Sequence, residues 1–159
     1  MFNLGDITDL AVRLEKNGEN TYRKAMKDVS DPHLLSVLNQ LAMDELEHVK
    51  WFEDLRERVG PKGIEPELDE MGKMMLQNIL GDQAFSISEA DFSKIENVKE
   101  LLELSIEFEK DTILFYELIL AVIEDEKTIE GLNAIIEEEN RHVSVLTESL
   151  ENGIYPHVV

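Results

Sequence analysis

Two stretches decide the fold and chemistry of this chain: LAMDELEH at residues 41–48 and IIEEENRH at residues 135–142. Each contains a glutamate followed three residues later by a histidine, Glu45 with His48 and Glu139 with His142. Residues three apart share one face of a helix, so each pair can bind one centre. The second pair lies 94 positions after the first.

The same shift of 94 positions relates the segments that precede these two stretches. Glu15 and Tyr22 in LEKNGENTY, residues 14–22, recur as Glu109 and Tyr116 in IEFEKDTILFY, residues 106–116. In each copy, 30 residues separate the two glutamates. A repeat that keeps four residue types and their spacing indicates two equivalent halves that contribute to one site.

Apolar residues recur at helical spacing in four long segments, which predict four helices. They cover about residues 4–29, 33–59, 97–124 and 128–151. Ser30-Asp31-Pro32, Gly60-Pro61, the turn at 125–127 and Asn152-Gly153 interrupt the pattern.

The segment between the second and third helices, about residues 60–96, is too long for an ordinary structureless loop. It is typical of a crossover that runs the length of a four-helix bundle, and part of it, about residues 67–80, is predicted as a short helix. We therefore predict one all-α domain over residues 1–159: two antiparallel hairpins, a long crossover and a short tail at 152–159.

Composition excludes several classes of function. With 35 acidic residues against 15 Lys plus Arg, the net charge of −20 disfavours binding to nucleic acid or to anionic membranes. No signal peptide or membrane-spanning run is recognisable, so a cytoplasmic location is expected. The absence of cysteine excludes disulfides, iron–sulfur clusters and cysteine-based zinc sites. Any metal must be held by histidine and carboxylate, and we interpret His33 and His157 as non-functional.

The repeated residues are predicted to form a metal site. Counted along the first hairpin at about 1.5 Å per residue, Glu15 and Glu45 fall at nearly the same height, as do Glu109 and Glu139 in the second. All lie in the apolar stripes, where an unpaired carboxylate is costly. Two divalent cations would neutralise four carboxylates, and ligands of this kind suit iron or manganese better than magnesium or calcium.

Four further residues flank the predicted ligands. Tyr22 and Tyr116 could hydrogen-bond liganding carboxylates, take part in electron transfer, or be core aromatics. Asp44 and Glu138 each precede a predicted liganding histidine by four residues. They could accept a hydrogen bond from an imidazole, although exposed helical acids are the favoured interpretation.

At these motifs the chain resembles the ferritin-like di-iron carboxylate proteins, most closely the rubrerythrin-like branch. The resemblance covers all four predicted helices and implies a ferritin-like four-helix bundle. It also implies two bound irons, with manganese or a mixed pair as alternatives, and Glu45 and Glu139 as bridging ligands. The implied ligand set is Glu15, Glu45, His48, Glu109, Glu139 and His142.

Two departures separate the chain from typical rubrerythrins. These 159 residues contain no cysteine, so they do not include the rubredoxin domain, in which four cysteines hold an electron-transfer iron. The additional glutamate that rubrerythrins carry three residues after the third-helix ligand is Thr112 here, and its counterpart in the first copy is Gly18. A symmetric site with six protein ligands is therefore expected.

The resemblance implies a reaction of Fe(II) with O2 or H2O2, as a ferroxidase or as a peroxide-scavenging oxidoreductase in oxidative stress. Electrons would come from a separate donor protein or from ferrous iron itself, and a homo-oligomer, with a dimer favoured, is expected. The alternatives are a di-iron oxygenase, a dimanganese catalase, or a helical interaction module with a structural metal.

Overall fold

The computed structural model describes residues 4–59 and 98–152. Four helices cover nearly all of them: α1 Leu4–Met26, α2 Pro32–Val59, α3 Val98–Val122 and α4 Glu126–Glu151. The predicted crossover with its short helix, and the tail beyond residue 152, lie outside the described residues. α1 packs mainly against α2, and α3 against α4. The two predicted hairpins are therefore confirmed.

The helix boundaries follow from local chemistry. α1 ends at Met26, earlier than the predicted residue 29, because the amides of Lys27 and Asp28 bond to carbonyls only three residues back and tighten the chain into a turn. Pro32, which lacks an N–H and has a fixed φ, is the first residue of α2. The Asp31 carboxylate accepts a hydrogen bond from the His33 amide at 3.1 Å.

α4 begins two residues before the predicted start because Asp125 caps it. The Asp125 carboxylate accepts hydrogen bonds from the Thr128 amide at 2.9 Å and from the Thr128 hydroxyl at 2.6 Å. At the other end, the amide of Asn152 donates to the carbonyl of Glu148 at 2.9 Å. Fixed ends set the rotation and height of the helix, and so the positions of Glu139 and His142.

Each helix buries an apolar stripe in one common core. Its largest fully buried side chains are aromatic and aliphatic: Tyr22, Tyr116, Phe52, Phe108, Phe115, Leu34, Leu38, Leu55, Leu102, Ile119, Leu132 and Leu146. Removing one such leucine side chain would cost about 2–5 kcal/mol. Within residues 4–59 and 98–152, no helix is long and apolar enough to cross a bilayer.

Candidate metal centre

Six carboxylate and imidazole side chains lie inside this apolar core, and none is more than 4% exposed. They are the six predicted ligands: Glu15, Glu45, His48, Glu109, Glu139 and His142. Each helix of the bundle supplies at least one, so the structure brings the complete set together from all four helices. Their role as metal ligands stays a prediction.

The six side chains form two overlapping groups of possible ligands. Glu15 and His48 make up one group together with Glu45 and Glu139, while Glu109 and His142 join the same two glutamates in the other. In each group, one ligand atom from each residue lies within 4.8 Å of the others. Glu45 and Glu139, expected to bridge, are the members common to both groups.

Several atoms in this cluster have no hydrogen-bond partner although they are fully buried. They are one carboxylate oxygen on each of the four glutamates and the Nδ1 atom of His142. Close approaches among them, such as the 2.9 Å between His142 Nδ1 and Glu139 Oε2, lack the geometry of a well-formed hydrogen bond. Buried polar atoms without partners are rare because desolvation is costly. Cations would satisfy these atoms and offset the carboxylate charges, so the residues present fit a pair of metal ions.

Each histidine has a carboxylate against its outer nitrogen. His48 Nε2 lies 2.6 Å from Glu138 Oε2, and His142 Nε2 lies 3.1 Å from Asp44 Oδ2. An imidazole that donates its Nε2 proton outward leaves Nδ1 free to bind a metal. The inner nitrogens already face the cluster, with His48 Nδ1 2.9 Å from Glu139 Oε1.

The favoured interpretation of Asp44 and Glu138 as exposed helical acids was therefore wrong. Their side chains are only 27% and 38% exposed, and each contacts an imidazole. The contacts also cross the bundle: each acid meets the histidine of the other hairpin, not the one four residues ahead of it. A sequence signal was available, because Asp44 and Glu138 are themselves related by the shift of 94 positions.

The two tyrosines are buried and hydrogen-bonded to predicted ligands. The Tyr22 hydroxyl donates to Glu109 Oε1, and the Tyr116 hydroxyl donates to Glu15 Oε1. These bonds also connect one hairpin with the other. Both structural alternatives are therefore present: the two rings belong to the apolar core, and their hydroxyls hold the α1 and α3 glutamates in place.

The cluster favours protonated imidazoles when metal is absent. Burial alone would lower the pKa of His48, but hydrogen bonds to Glu139 and Glu15 outweigh it and raise that pKa to about 11. Burial also opposes charge on His142, yet Asp44, Glu109 and Glu139 raise its pKa strongly. Without metal, the positive charge of the protonated imidazoles offsets part of the carboxylate charge that bound cations would otherwise offset.

The four glutamates divide into two classes. Burial and repulsion from neighbouring carboxylates raise the pKa values of Glu45 and Glu139 well above the ordinary range. For Glu109, burial is outweighed by hydrogen bonds from Glu139 and His142, and its pKa falls to about 2. The pKa of Glu15 is lowered in the same manner. The two glutamates shared by both groups thus carry the largest electrostatic penalty without metal.

The two positions that depart from the rubrerythrin pattern lie beside the cluster. Thr112 is buried, and its hydroxyl donates to the carbonyl of Phe108 at 2.9 Å. A Cβ added at Gly18 would lie 3.2 Å from Glu45 Oε2 and 3.1 Å from a ring carbon of Phe108. Neither position supplies a seventh ligand, and Gly18 leaves room for the Glu45 carboxylate.

The α2 and α4 helices leave an open groove of about 500 Å³ beside the cluster. Its lining includes His142, Asp44, Glu138 and Arg141. Small ions or oxidants can therefore reach the imidazole side of the cluster from solvent. His33 is exposed and belongs to neither ligand group; His157 lies outside the described residues.

Comparisons with known proteins identify the fold and the family of the chain. No curated protein matches the chain. A Thermotoga maritima crystal structure, described as that of a candidate ferritin-like diiron-carboxylate protein, superposes with a TM-score of 0.70 at 19% identity, over 96% of this chain and 97% of the other. That likeness confirms the predicted ferritin-like four-helix fold. The family model for rubrerythrin matches residues 6–150, and the chain therefore belongs to the rubrerythrin family.

Proposed function

We propose that this protein is a di-iron oxidoreductase that oxidises Fe(II) with H2O2 or O2. The observation that carries the proposal is the pair of overlapping ligand groups with Glu45 and Glu139 in common. Two glutamates common to both groups allow two cations to be held side by side, so that both could act on one small oxidant.

Iron is supported by the donor set. The cluster offers carboxylate oxygens and imidazole nitrogens, and the chain has no thiolate to offer. This mixture suits iron or manganese, whereas calcium and magnesium prefer oxygen alone. When bound, two ferrous ions would supply the two electrons that reduce one H2O2 to two waters.

The protein's own residues prepare the site for that charge. Glu138 and Asp44 accept the outer imidazole protons, so that His48 and His142 present their inner nitrogens. The hydroxyls of Tyr22 and Tyr116 hold the carboxylates of Glu109 and Glu15 in one orientation. The apolar core around them excludes bulk water, which strengthens every charge interaction inside.

We assign the protein to the cytoplasm and to protection against oxidants. We assign the return of the site iron to the ferrous state to a separate donor protein or to incoming Fe(II). A homodimer is the favoured assembly.

Anaerobic titration with Fe(II), followed by rapid mixing with O2 and H2O2 in parallel, tests the proposal. We expect two ferrous ions to bind per chain. Both should be oxidised when either oxidant is added in an amount equimolar to the bound iron pairs. The relative rates rank the two oxidants. A matched pair of α4 variants supplies the control: Glu139→Gln alters a glutamate common to both groups, and Glu137→Gln alters an exposed neighbour.

Glu139→Gln should reduce both iron stoichiometry and oxidation rate, while Glu137→Gln should leave both unchanged. Binding of a single ion per chain, or two bound ferrous ions that neither oxidant oxidises, would contradict the proposed function.

A further inference from the structure

Three aromatic rings connect the cluster with the edge of the core. The ring centroid of Phe52 lies 5.0 Å from that of Tyr116 and 5.0 Å from that of Trp51. Tyr116 and Phe52 are completely buried, whereas Trp51 is partly exposed. The three rings are therefore in sequential contact from the interior to the surface.

The inner end of this row is bonded to a predicted ligand. The Tyr116 hydroxyl donates to Glu15 Oε1, and Glu15 belongs to the first ligand group. A phenol that loses an electron must also lose its proton, and the carboxylate is already in position to accept it. Tyr116 can therefore be oxidised and reduced without releasing a proton to water.

The outer end is held by a glycine on the facing helix. A Cβ placed on Gly131 would lie 2.5 Å from Trp51 Cζ2 and 2.9 Å from Nε1, so only glycine leaves space for the indole there. Glycine weakens a helix interior, and at residue 131 it allows the indole to lie directly against α4. The ring is thereby fixed in contact with Phe52.

The two copies of the internal repeat differ at the positions of these aromatic rings. Tyr22 is the counterpart of Tyr116 and bonds to Glu109 in the equivalent manner. The positions that correspond to Trp51 and Phe52 are Val145 and Leu146. Within the part of the chain that the structure describes, Tyr22 has no aromatic ring contact. Among residues 4–59 and 98–152, one tyrosine of the symmetric pair thus has an aromatic connection to the surface, and the other does not.

We propose that Trp51, Phe52 and Tyr116 form an electron-transfer route between the metal site and the protein surface. The route supplies an electron when the metal site holds fewer electrons than the oxidant takes up. Phe52 provides the contact between the two oxidisable rings, and Trp51 is the terminal donor at the surface. The site end of the route rests on the proposed function, whereas the contact between the rings does not.

A site holding one ferrous ion would supply one of the two electrons that break the O–O bond of H2O2, and Tyr116 would supply the other while its proton passes to Glu15. Trp51 then reduces Tyr116, which recovers its proton from Glu15, and the indole loses its Nε1 proton to solvent. Two protons taken up from solvent would complete the two waters, and the other products would be one ferric ion and a neutral indolyl radical.

Photo-oxidation of the metal-free protein tests the route without any iron chemistry. The parent variant is Tyr155→Phe, which leaves Tyr22 and Tyr116 as the only tyrosines in the chain. A ruthenium(II) polypyridyl complex with a cobalt(III) quencher generates the oxidant in solution. Electron paramagnetic resonance of protein with ring-deuterated tyrosine then identifies the tyrosyl radical.

We expect a tyrosyl radical in the parent and in the parent carrying Tyr22→Phe. Adding Trp51→Phe or Tyr116→Phe should lower its yield at least tenfold. Phe52→Leu and Gly131→Ala, which separate the rings without removing either oxidisable one, should lower it at least threefold. Circular dichroism and thermal melting identify the variants that remain folded. The comparison of Tyr116→Phe with Tyr22→Phe decides whether the radical forms on Tyr116, because both changes remove only a hydroxyl.

An equal radical yield in the Tyr116→Phe and Tyr22→Phe variants would overturn the route, as would an unchanged yield in Trp51→Phe. A second arm exposes iron-loaded protein to excess H2O2 without a donor and locates oxidised tryptophan by peptide mass spectrometry. Oxidation of Trp51 that falls in Tyr116→Phe but not in Tyr22→Phe supports the route. If iron is not oxidised while the metal-free arm succeeds, the route stands and the proposed function fails.

Discussion

Glu138 on α4 lies with its Oε2 atom 2.6 Å from His48 Nε2 on α2, so the helix that carries one predicted liganding histidine orients the histidine of the other. The relationship is reciprocal, because Asp44 on α2 contacts His142 on α4 at 3.1 Å. The two Glu-x2-His motifs are thereby linked across the bundle, and neither imidazole can rotate independently of the opposite hairpin.

Truncation of either outer carboxylate should weaken metal binding. We expect Glu138→Ala and Asp44→Ala each to reduce affinity by about 10–100-fold, because the imidazole loses the partner that fixes its orientation and tautomer. The metal affinity of Glu138→Gln should lie between those of the unaltered protein and Glu138→Ala, since an amide oxygen can still accept a hydrogen bond from the imidazole N–H. Anaerobic titration with Co(II), followed by its visible absorption, measures the affinity. Glu137→Ala is the exposed control, and an equal loss there would remove the orienting role.

A glutamate common to both ligand groups should oppose stability and favour function. Replacing Glu45 by glutamine removes a buried carboxylate whose pKa is raised by burial and by Glu139. We expect the metal-free protein to gain about 1 kcal/mol in its free energy of unfolding. Metal affinity should fall by more than about 100-fold, since losing a ligand exceeds losing its outer partner.

Urea unfolding without metal and Co(II) titration measure these two effects. Glu47→Gln, an exposed change on the same helix, should alter neither. If Glu45→Gln lowered the stability of the metal-free protein, the carboxylate would be stabilising in its own right, and the electrostatic account of the cluster would be wrong.

The sequence contained most of the site because the relevant information is periodic. Helical spacing and the shift of 94 positions locate the six predicted ligands, and counting residues through a short hairpin turn gives their heights. The structure brings Glu15 and Glu45 into one group at the predicted level. Periodicity along a helix and rise per residue are properties of the chain itself.

The crossed acid–histidine contacts could not be obtained from spacing. Asp44 is four residues from His48 and so lies on the same helical surface, but it bonds to His142 on another helix. Which side chains meet across a bundle depends on helix rotation and separation, and packing of the whole core decides both. The start of α4 could not be obtained from spacing either, because it depends on the conformation of one side chain. Asp125 caps the helix, which therefore begins at Glu126.

Introducing the glutamate that most rubrerythrins carry should make stability depend on metal. Thr112 is buried beside the cluster, so Thr112→Glu adds a fifth carboxylate to a core that already holds four. We expect the metal-free variant to lose about 3 kcal/mol and to recover part of it when Fe(II) or Co(II) is bound. Thermal and urea unfolding with and without metal measure this.

Two control substitutions at the same position separate charge from size. Thr112→Gln has the length of glutamate without its charge, so metal should not restore its stability. Thr112→Val removes only the hydroxyl that donates to Phe108, at a cost of about 1 kcal/mol. Equal recovery of the glutamate and glutamine variants on metal binding would show that the added side chain does not face the metals.

Acidification should have opposite effects on the metal-free and the metal-bound protein. Without metal, the pKa of His48 rises from about 6.5 to about 11, chiefly because its hydrogen bonds to Glu139 and Glu15 overcome burial. A pKa that is higher in the folded state stabilises the fold below the unfolded value and loses that effect as pH rises towards the folded value. Between about pH 6.5 and 11, the metal-free protein should therefore become less stable as pH rises.

Metal binding has the reverse dependence on pH, because a cation and a proton compete for the same imidazole nitrogen. At pH 7, His48 is protonated in the metal-free protein, and Glu45 and Glu139, whose pKa values are raised, also favour retained protons. Binding must expel these protons, so affinity should rise by about tenfold per pH unit for each proton released. Calorimetric Co(II) titrations in buffers of different ionisation enthalpy count the protons directly. We expect more than one per site near pH 7, and a pH-independent affinity with no release would mean that the imidazoles are already neutral before metal arrives.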